Sequence, residues 1–147
     1  KDRGIRKMTD ATHLDAAIQE LKAFNQMQDA EGQAAVSDFW EAAKLTGKFT
    51  THGVTRTVSK NQHTISYTWF KQIKIEDKAT GKSKVILVSV KRGVGPRQIK
   101  IVMGSMAPWM EALFNQTEDR LSVVRENMKE AKKIIQSIER MKKKLKA

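Results

Sequence analysis

A change in the spacing of apolar residues constrains this chain more than any other feature. Over residues 64–75 apolar side chains occupy alternate positions, at Ile65, Tyr67, Trp69, Ile73 and Ile75. This period of two is typical of a β-strand with one buried face. In residues 1–47 and 104–147 the apolar residues recur every three or four positions, which indicates helices. The sequence therefore predicts a sheet between two helical segments.

The sheet segment, residues 48–103, predicts an antiparallel meander of three to four strands. The runs that read as strands are "FTTHGVTRTV", the alternating run above, "KVILVSVKR" with Ile86, Val88 and Val90 on one side, and the stretch containing Ile99, Ile101 and Met103. The polar turns "SKNQ", "EDKATGKS" and "GVGP" join them. Such short turns require antiparallel pairing, because a parallel return needs a crossover of about a dozen residues or more.

The first helical segment, residues 1–47, predicts a helix that begins near Thr12 and ends at Gly47, whose lack of a side chain suits a left-handed helix end. Its apolar positions include Leu14, Ile18 and Leu21. Gly32 lies inside this segment. A single kinked helix and two consecutive helices both fit this pattern.

The last segment, residues 104–147, predicts one long helix with Pro108 in its first turn. A heptad-like stripe follows, made of Leu121, Val124, Met128, Ala131, Ile135 and Ile138. This stripe serves either as core against the first helix or as the seam of a homodimer. The basic tail that starts at Lys129 is either a solvated helix end or a contact for nucleic acid.

The length of 147 residues allows one modest core, so we expect a single α+β domain spanning residues 1–147. In it, the helical first segment and the long last helix flank the antiparallel sheet. No apolar run reaches the roughly 18 residues of a membrane span, and the first residues lack the apolar core of a signal peptide. The expectation is a cytoplasmic protein with no membrane contact, since the helices also lack a broad apolar face rimmed by Lys and Trp.

The charge is concentrated in the sheet segment. The chain has a formal net charge of +12, and residues 48–103 carry 12 basic and 2 acidic residues, whereas residues 1–47 carry 6 basic and 8 acidic ones. Such an excess exceeds what solubility requires and favours a polyanionic partner.

No catalytic or metal-binding constellation is recognisable. The chain has no cysteine, and His13, His52 and His63 are not spaced to hold a metal on one helical face. Glu76 and Asp77 adjoin a turn and read as turn formers, while Tyr67 follows the buried alternation and reads as a core aromatic rather than a nucleophile. We therefore expect no enzyme activity, no metal and no cofactor, with a nuclease of unrecognised residues as an alternative.

The stretch "KRGVGPRQIK" (residues 91–100) contains two glycines and a proline between cations. A phosphate-binding glycine loop needs a helix after it, and here a strand is predicted, so the stretch reads as a basic hairpin tip. The main predicted contacts are Lys91, Arg92, Arg97 and Lys100, with Gln98 as a reader of base edges and Lys71, Lys74, Lys82, Lys84, Arg56 and Lys60 as backbone contacts.

These residues predict a non-enzymatic protein that binds double-stranded DNA, since a two-stranded ribbon has the width of the major groove. Single-strand and RNA recognition by a sheet relies on several exposed aromatics, and only Phe70 falls on the polar face here. The alternatives are an RNA-binding protein and a scaffold or chaperone whose long helix recruits a protein partner.

Three segments, "YTWFK", "VSVKRGVGPRQIK" and "APWMEALFNQTEDRLSVVRE", carry a resemblance to a known family. The third segment includes Trp109, Glu118, Asp119 and Arg125. The three segments together resemble the MobI-type auxiliary mobilisation proteins of conjugative plasmids and integrative elements. The resemblance covers roughly residues 64–126. It implies an accessory factor that binds at an origin of transfer and assists a relaxase, with no catalytic residue in this chain.

Overall fold

The computed structural model describes residues 2–61 and 64–146, with side chains from residue 9 onward. Its elements are the helix α1 (Asp2–Leu45), the strands β1 (His52–Val58), β2 (Ile65–Glu76) and β3 (Ser83–Ser89), a short 3-10 helix (Lys100–Met103) and the helix α2 (Pro108–Lys146). The predicted α+β class is confirmed. The predicted turn residue His63 lies outside the described residues.

The three strands form one antiparallel sheet in the order β1-β2-β3. Val54 of β1 lies opposite Trp69 of β2, and Ile73 of β2 lies opposite Ile86 of β3. The strand predicted after the glycine loop is wrong, because Lys100–Met103 forms a 3-10 helix instead. Of the three alternating apolar residues there, only Met103 is buried, while Ile99 and Ile101 are exposed.

Aromatic residues from all three layers meet at the centre of the core. The Trp69 ring lies between Phe39 of α1 and Phe114 of α2, at centroid distances of 5.1 Å and 5.0 Å in edge-on geometry. Edge-on contacts place the positive rim of one ring against the negative face of the other. Met103 and Leu121, both fully buried, belong to the same core. Trp69 therefore connects the central strand of the sheet to both helices.

The helix α1 runs through Gly32 without a break, so neither a kink nor a second helix is needed. A Cβ atom at Gly32 would lie 2.3 Å from Cζ of Tyr67, which means that only glycine lets the strand approach here. The Tyr67 hydroxyl donates a 2.5 Å hydrogen bond to Asp29, one turn earlier on α1. The predicted helix end is confirmed: α1 stops at Leu45 and Gly47 has a positive φ of 66°.

The carboxylate of Asp29 is the polar centre of the contact between α1 and the sheet. Arg56 of β1 donates two hydrogen bonds of 2.9 Å to it, and Gln33 and Tyr67 donate as well. Burial alone would raise the pKa of Asp29, but the hydrogen bonds from Arg56, Tyr67 and Gln33 outweigh it and hold the pKa below its ordinary value. Asp29 is therefore ionised and binds β1 and β2 to the helix.

The two long helices pack side by side in opposite directions. Contacts along this pair join Arg120 to Glu31 and Asp38, and Asn127 to Gln28. The stripe on α2 faces α1, and its members are buried or half-buried: Leu121, Val124, Met128, Ala131, Ile135 and Ile138. Leu121, Val124 and Ala131 are buried within the monomer, which confirms the core interpretation for this part of the stripe.

The β2–β3 hairpin extends past the core. We call the paired residues 70–76 and 83–89 with their connecting turn the arm. Every residue of β3 is exposed, and so are the last four of β2. Ile73 and Ile75 were predicted to be buried, but they are 45% and 47% exposed because neither helix covers the sheet this far out.

Candidate nucleic-acid interface

A cleft lies where the sheet loses its third strand. Val90 donates its N–H to the carbonyl of Trp69 at 2.9 Å, after which the chain leaves the sheet. The preceding residues of β2 therefore have no strand on this side, although β1 still pairs with them on the other. Residues 64–68, the loop after β3 and one face of α2 enclose a cavity of about 870 Å³.

The lining of this cleft combines cations and hydroxyl groups with apolar residues, among them Ile65, Met128 and Ile135. Arg92 comes from the loop, Arg125, Lys129 and Lys132 come from α2, and Thr64, Ser66 and Thr68 come from the edge of β2. Glu139 is the one carboxylate among the described lining residues. Guanidinium, ammonium and hydroxyl groups are the side-chain donors that proteins use for phosphate oxygens.

Arg125 forms the floor of the cleft and is already engaged. One of its nitrogens donates to the carbonyl of Pro96 at 2.8 Å and to Glu118 at 2.7 Å, and the other donates to the carbonyl of Tyr67 at 2.8 Å. Its side chain is 8% exposed and that of Glu118 is 0% exposed. Arg125 therefore links the edge of β2 to the loop, and Glu118 neutralises its charge.

Glu118 uses both carboxylate oxygens in this link. Oε2 accepts a 2.8 Å hydrogen bond from the indole of Trp69, and Oε1 accepts a 2.7 Å bond from the backbone N–H of Gln98. A buried charge is tolerated only when it is paired and fully hydrogen-bonded, and Glu118 satisfies both conditions. The loop is thereby fixed to the core at Gln98 and at Pro96.

Arg92 differs from Arg125 because no carboxylate among the described side chains forms an ion pair with it. It donates to the carbonyl of Gly95 at 2.8 Å. Partial burial, and secondly repulsion by Arg125, lower the pKa of Arg92. An anion in the cleft would offset both effects, since opposite charge favours the protonated form.

Lys129 and Lys132 lie three residues apart on α2, both exposed and both lining the cleft. Residues at this spacing share one face of a helix. Among the side chains that the structure describes, neither lysine has an ion-pair partner, whereas the adjacent Lys133 contacts Glu130 at 3.4 Å. The two free ammonium groups therefore border the cleft beside Arg92.

The structure places the predicted hairpin contacts differently from the prediction. The stretch 91–99 is irregular rather than a hairpin. Arg97 pairs with Asp119 at 2.8 Å, and Lys100 pairs with Glu111. Gln98 is only 3% exposed and donates to the carbonyl of Lys91, so the predicted role of base reader is incompatible with its burial. Of this group Arg92 lines the cleft and Lys91 is exposed at the loop.

The other predicted backbone contacts separate into paired and unpaired cations. Arg56 is engaged by Asp29, as described above. Lys60 is exposed in the turn between β1 and β2, while Lys74, Lys82 and Lys84 are exposed on the arm. Lys71, at the base of the arm, is half-buried and extends toward Gly104. Within the described part of the chain these five lysines have no carboxylate partner, so they are available to a ligand.

The sequence did not single out Lys129 and Lys132 from the rest of the basic tail. A signal was present, because both flank Met128 and Ile135 of the apolar stripe and therefore lie at the boundary of the packed face. The alternative interpretation of the tail as a nucleic-acid contact includes these two residues. Only the fold shows that they meet the edge of β2.

Two of the residues considered for catalysis or metal binding, Tyr67 and His52, are part of the core, whereas His13, Glu76 and Asp77 are exposed. Tyr67 is 2% exposed, which confirms its prediction as a buried strand aromatic. His52 is buried, with Nδ1 2.8 Å from the Thr51 hydroxyl and Nε2 2.7 Å from the carbonyl of Met103. Across residues 2–61 and 64–146, no cluster of three or more His, Asp or Glu side chains has an arrangement suited to a metal ion.

No helix in the described ranges combines the length and the apolar character that crossing a membrane requires. In comparisons with known proteins, no family model, no curated protein and no solved structure matches this chain. The resemblance to the MobI-type proteins is untested by these comparisons and stays a prediction.

Proposed function

We propose that this protein is a non-enzymatic DNA-binding protein that holds the phosphate backbone of a duplex in the cleft beside β2. The observation that carries the proposal is the grouping of Arg92, Lys129 and Lys132 around hydroxyl groups, with Glu139 as the one described acid in the lining. None of these three cations has a carboxylate partner among the described side chains. Many other basic residues of the chain are paired internally.

The contrast between paired and unpaired cations supports this location. Arg56, Arg97, Lys100, Arg120, Arg125 and Lys142 each pair with a carboxylate of the chain itself. Paired cations contribute little field to an approaching polyanion, because the partner cancels their charge. The positive potential available for DNA therefore comes from the unpaired cations, which include those of the cleft, the arm and the exposed end of α2.

The arm supplies a second contact in this proposal. It is a two-stranded ribbon, and its paired length is about 20 Å for six steps at roughly 3.3 Å per residue. A ribbon of this kind fits the major groove, which is about 12 Å wide. Lys74, Lys82 and Lys84 lie on the arm. In this proposal the arm takes the role that the sequence analysis gives to residues 91–100, that of the basic hairpin that contacts DNA.

The biological setting that we propose is that of an accessory factor at a specific DNA site. The resemblance of residues 64–126 to MobI-type proteins supports an origin of transfer as that site and a relaxase as the partner. Glu118 and Arg125, two residues of that resemblance, fix the loop that forms one wall of the cleft. If the family resemblance holds, its shared residues act by shaping the binding surface.

The test is fluorescence anisotropy with labelled duplex DNA over a salt series. The double variant Lys129→Glu, Lys132→Glu removes the two free lysines of the cleft and leaves Arg92 in place, and Lys82→Glu, Lys84→Glu removes two cations from the arm. The matched control is Lys22→Glu, Lys44→Glu, which makes the same charge change at two exposed residues of α1. Each lost phosphate contact reduces the steepness of the plot of log association constant against log salt concentration by about one. The steepness is therefore expected to fall by about two in each of the first two variants.

The outcomes separate the alternatives. The control is expected to keep the wild-type slope, and an equal loss in the control and the cleft variant would mean that net charge, not the cleft, governs binding. Tighter binding of an RNA duplex or of single strands would replace the DNA proposal with the RNA alternative. If the wild type binds no nucleic acid at low salt, the proposal fails and the scaffold alternative takes its place.

A further inference from the structure

The outer strand β3 is a free sheet edge made of aliphatic residues. Val85, Ile86, Leu87 and Val88 are 47%, 37%, 62% and 43% exposed, and β3 pairs only with β2 within the described sheet. Proteins usually protect such edges with charges, proline, a bulge or a covering element, because an apolar edge pairs with other strands. Lys84 is the one charged residue of β3, and the register with β2 is continuous.

The sequence of β3 is nearly the same in both directions. The sequence of β3 is "SKVILVS", with Ile86 at its centre. Positions at equal distance from Ile86 carry Val85 and Leu87, which are both aliphatic, and at the two ends Ser83 and Ser89. A strand that pairs with its own copy in antiparallel orientation places symmetry-related positions opposite each other. Around a twofold axis at Ile86, serine then meets serine and aliphatic residues meet aliphatic residues.

The one charge is also compatible with this arrangement. Lys84 would lie opposite Val88 of the second copy, so the two lysines are at opposite ends of the paired segment. Like charges placed directly opposite each other in a sheet destabilise it, and this register avoids that contact.

The hydrogen-bonding groups of β3 point in the required direction. Val90 donates its N–H to the carbonyl of Trp69, so the N–H group of Val90 points toward β2. Because the pattern repeats every second residue, Ile86 and Val88 direct their N–H groups toward β2, whereas Val85 and Leu87 direct theirs away from it. The outward groups of Val85 are then opposite those of Leu87 in the second copy, where both can be satisfied.

We propose that the protein forms a homodimer by antiparallel pairing of two β3 strands around Ile86, which joins the two sheets into one of six strands. The dimer contact is thus on the arm and not on α2, where Leu121, Val124 and Ala131 of the apolar stripe are buried within the monomer. The interface is isologous, as expected for a twofold dimer. It does not depend on nucleic acid, so it is tested without any. In the dimer the two arms form four adjacent strands, which are wider than the major groove, so the groove contact proposed above belongs to the monomer.

Sedimentation velocity over a concentration series measures the mass directly. The wild type is expected to approach twice the 16.7 kDa of the chain as concentration rises. In Val85→Glu, Leu87→Glu the new acids oppose each other across the axis, and in Val85→Glu, Leu87→Lys each acid opposes a new cation. Both positions are exposed, and Val85 is beside Lys74 on β2, which accommodates the acid equally in both variants.

The repulsive variant is expected to sediment as a monomer and the complementary variant as a dimer. A third variant, Leu87→Pro, removes an outward N–H without breaking the ladder to β2, and it is also expected to be monomeric. Circular dichroism establishes that each variant is folded. A wild type that is monomeric at high micromolar concentration overturns the proposal, and so does an unchanged dimer in both the repulsive and the proline variants.

Discussion

Arg120 and Arg125 lie five residues apart on α2, and both contact carboxylates, but their surroundings differ. Arg120 bridges Glu31 and Asp38 at the surface, where its side chain is 36% exposed. Arg125 contacts Glu118 in the interior. An exposed pair gains little, because water screens the charges and the side chains lose freedom. Removing one member of a buried pair leaves an uncompensated charge, which costs far more.

This difference predicts unequal effects of the same substitution. Arg125→Met is expected to lower the free energy of unfolding by about 3–5 kcal/mol, whereas Arg120→Met is expected to lower it by no more than about 1 kcal/mol. Urea denaturation followed by tryptophan fluorescence measures both, since Trp69 hydrogen-bonds to Glu118. Similar losses in the two variants would contradict the interpretation of Glu118 as a charge stabilised by Arg125.

At the scale of elements, the strand pattern predicted the sheet but not the extent of its cover. The alternation marks a buried face at Tyr67 and Trp69 and a half-buried position at Ile65, and it continues to the exposed Ile73 and Ile75 in the arm. The sequence of a strand does not show how far the helices that pack on the sheet extend along it. The wrong strand prediction at residues 99–103 also depends on contacts with distant residues. Gln98 forms hydrogen bonds with Glu118 and with the carbonyl of Lys91, and residues 100–103 that follow it form a 3-10 helix.

The arm is therefore expected to be dispensable for the core. Ile73 and Ile86 lie directly opposite each other, so an Asn-Gly turn can join them in place of residues 74–85. Because no residue in that range is buried, the free energy of unfolding is expected to change by less than about 1 kcal/mol. Thermal denaturation at low protein concentration tests this. A loss of several kcal/mol would mean that the arm contributes to folding of the monomer.

For the whole molecule, the sequence indicated how much charge the chain carries and in which segment, but not which charges are free. The acidic first segment packs along the basic last helix, where Asp15 pairs with Lys142 and Asp38 pairs with Arg120. Which cations these acids neutralise depends on the rotation of α1 against α2, and single-sequence periodicity does not fix the partner of each side chain. Lys129 and Lys132 line the cleft and form no ion pair with the described acids, which only the folded structure shows.

The antiparallel pairing of α1 with α2 also determines when the protein can fold during its synthesis. Asn127 and Gln28, which meet in this pair, are 99 positions apart. The ribosome completes α1 long before α2 emerges, and until then Ile18, Ala35 and Phe39 have no helix to cover them. Contacts at such separation form slowly, because the long intervening loop must close first. Protease digestion can compare chains stalled before α2 has emerged from the ribosome with chains stalled after it. Only the chains that include α2 are expected to resist the protease. A nascent chain that stops within the sheet would therefore leave the ribosome unfolded and dependent on chaperones.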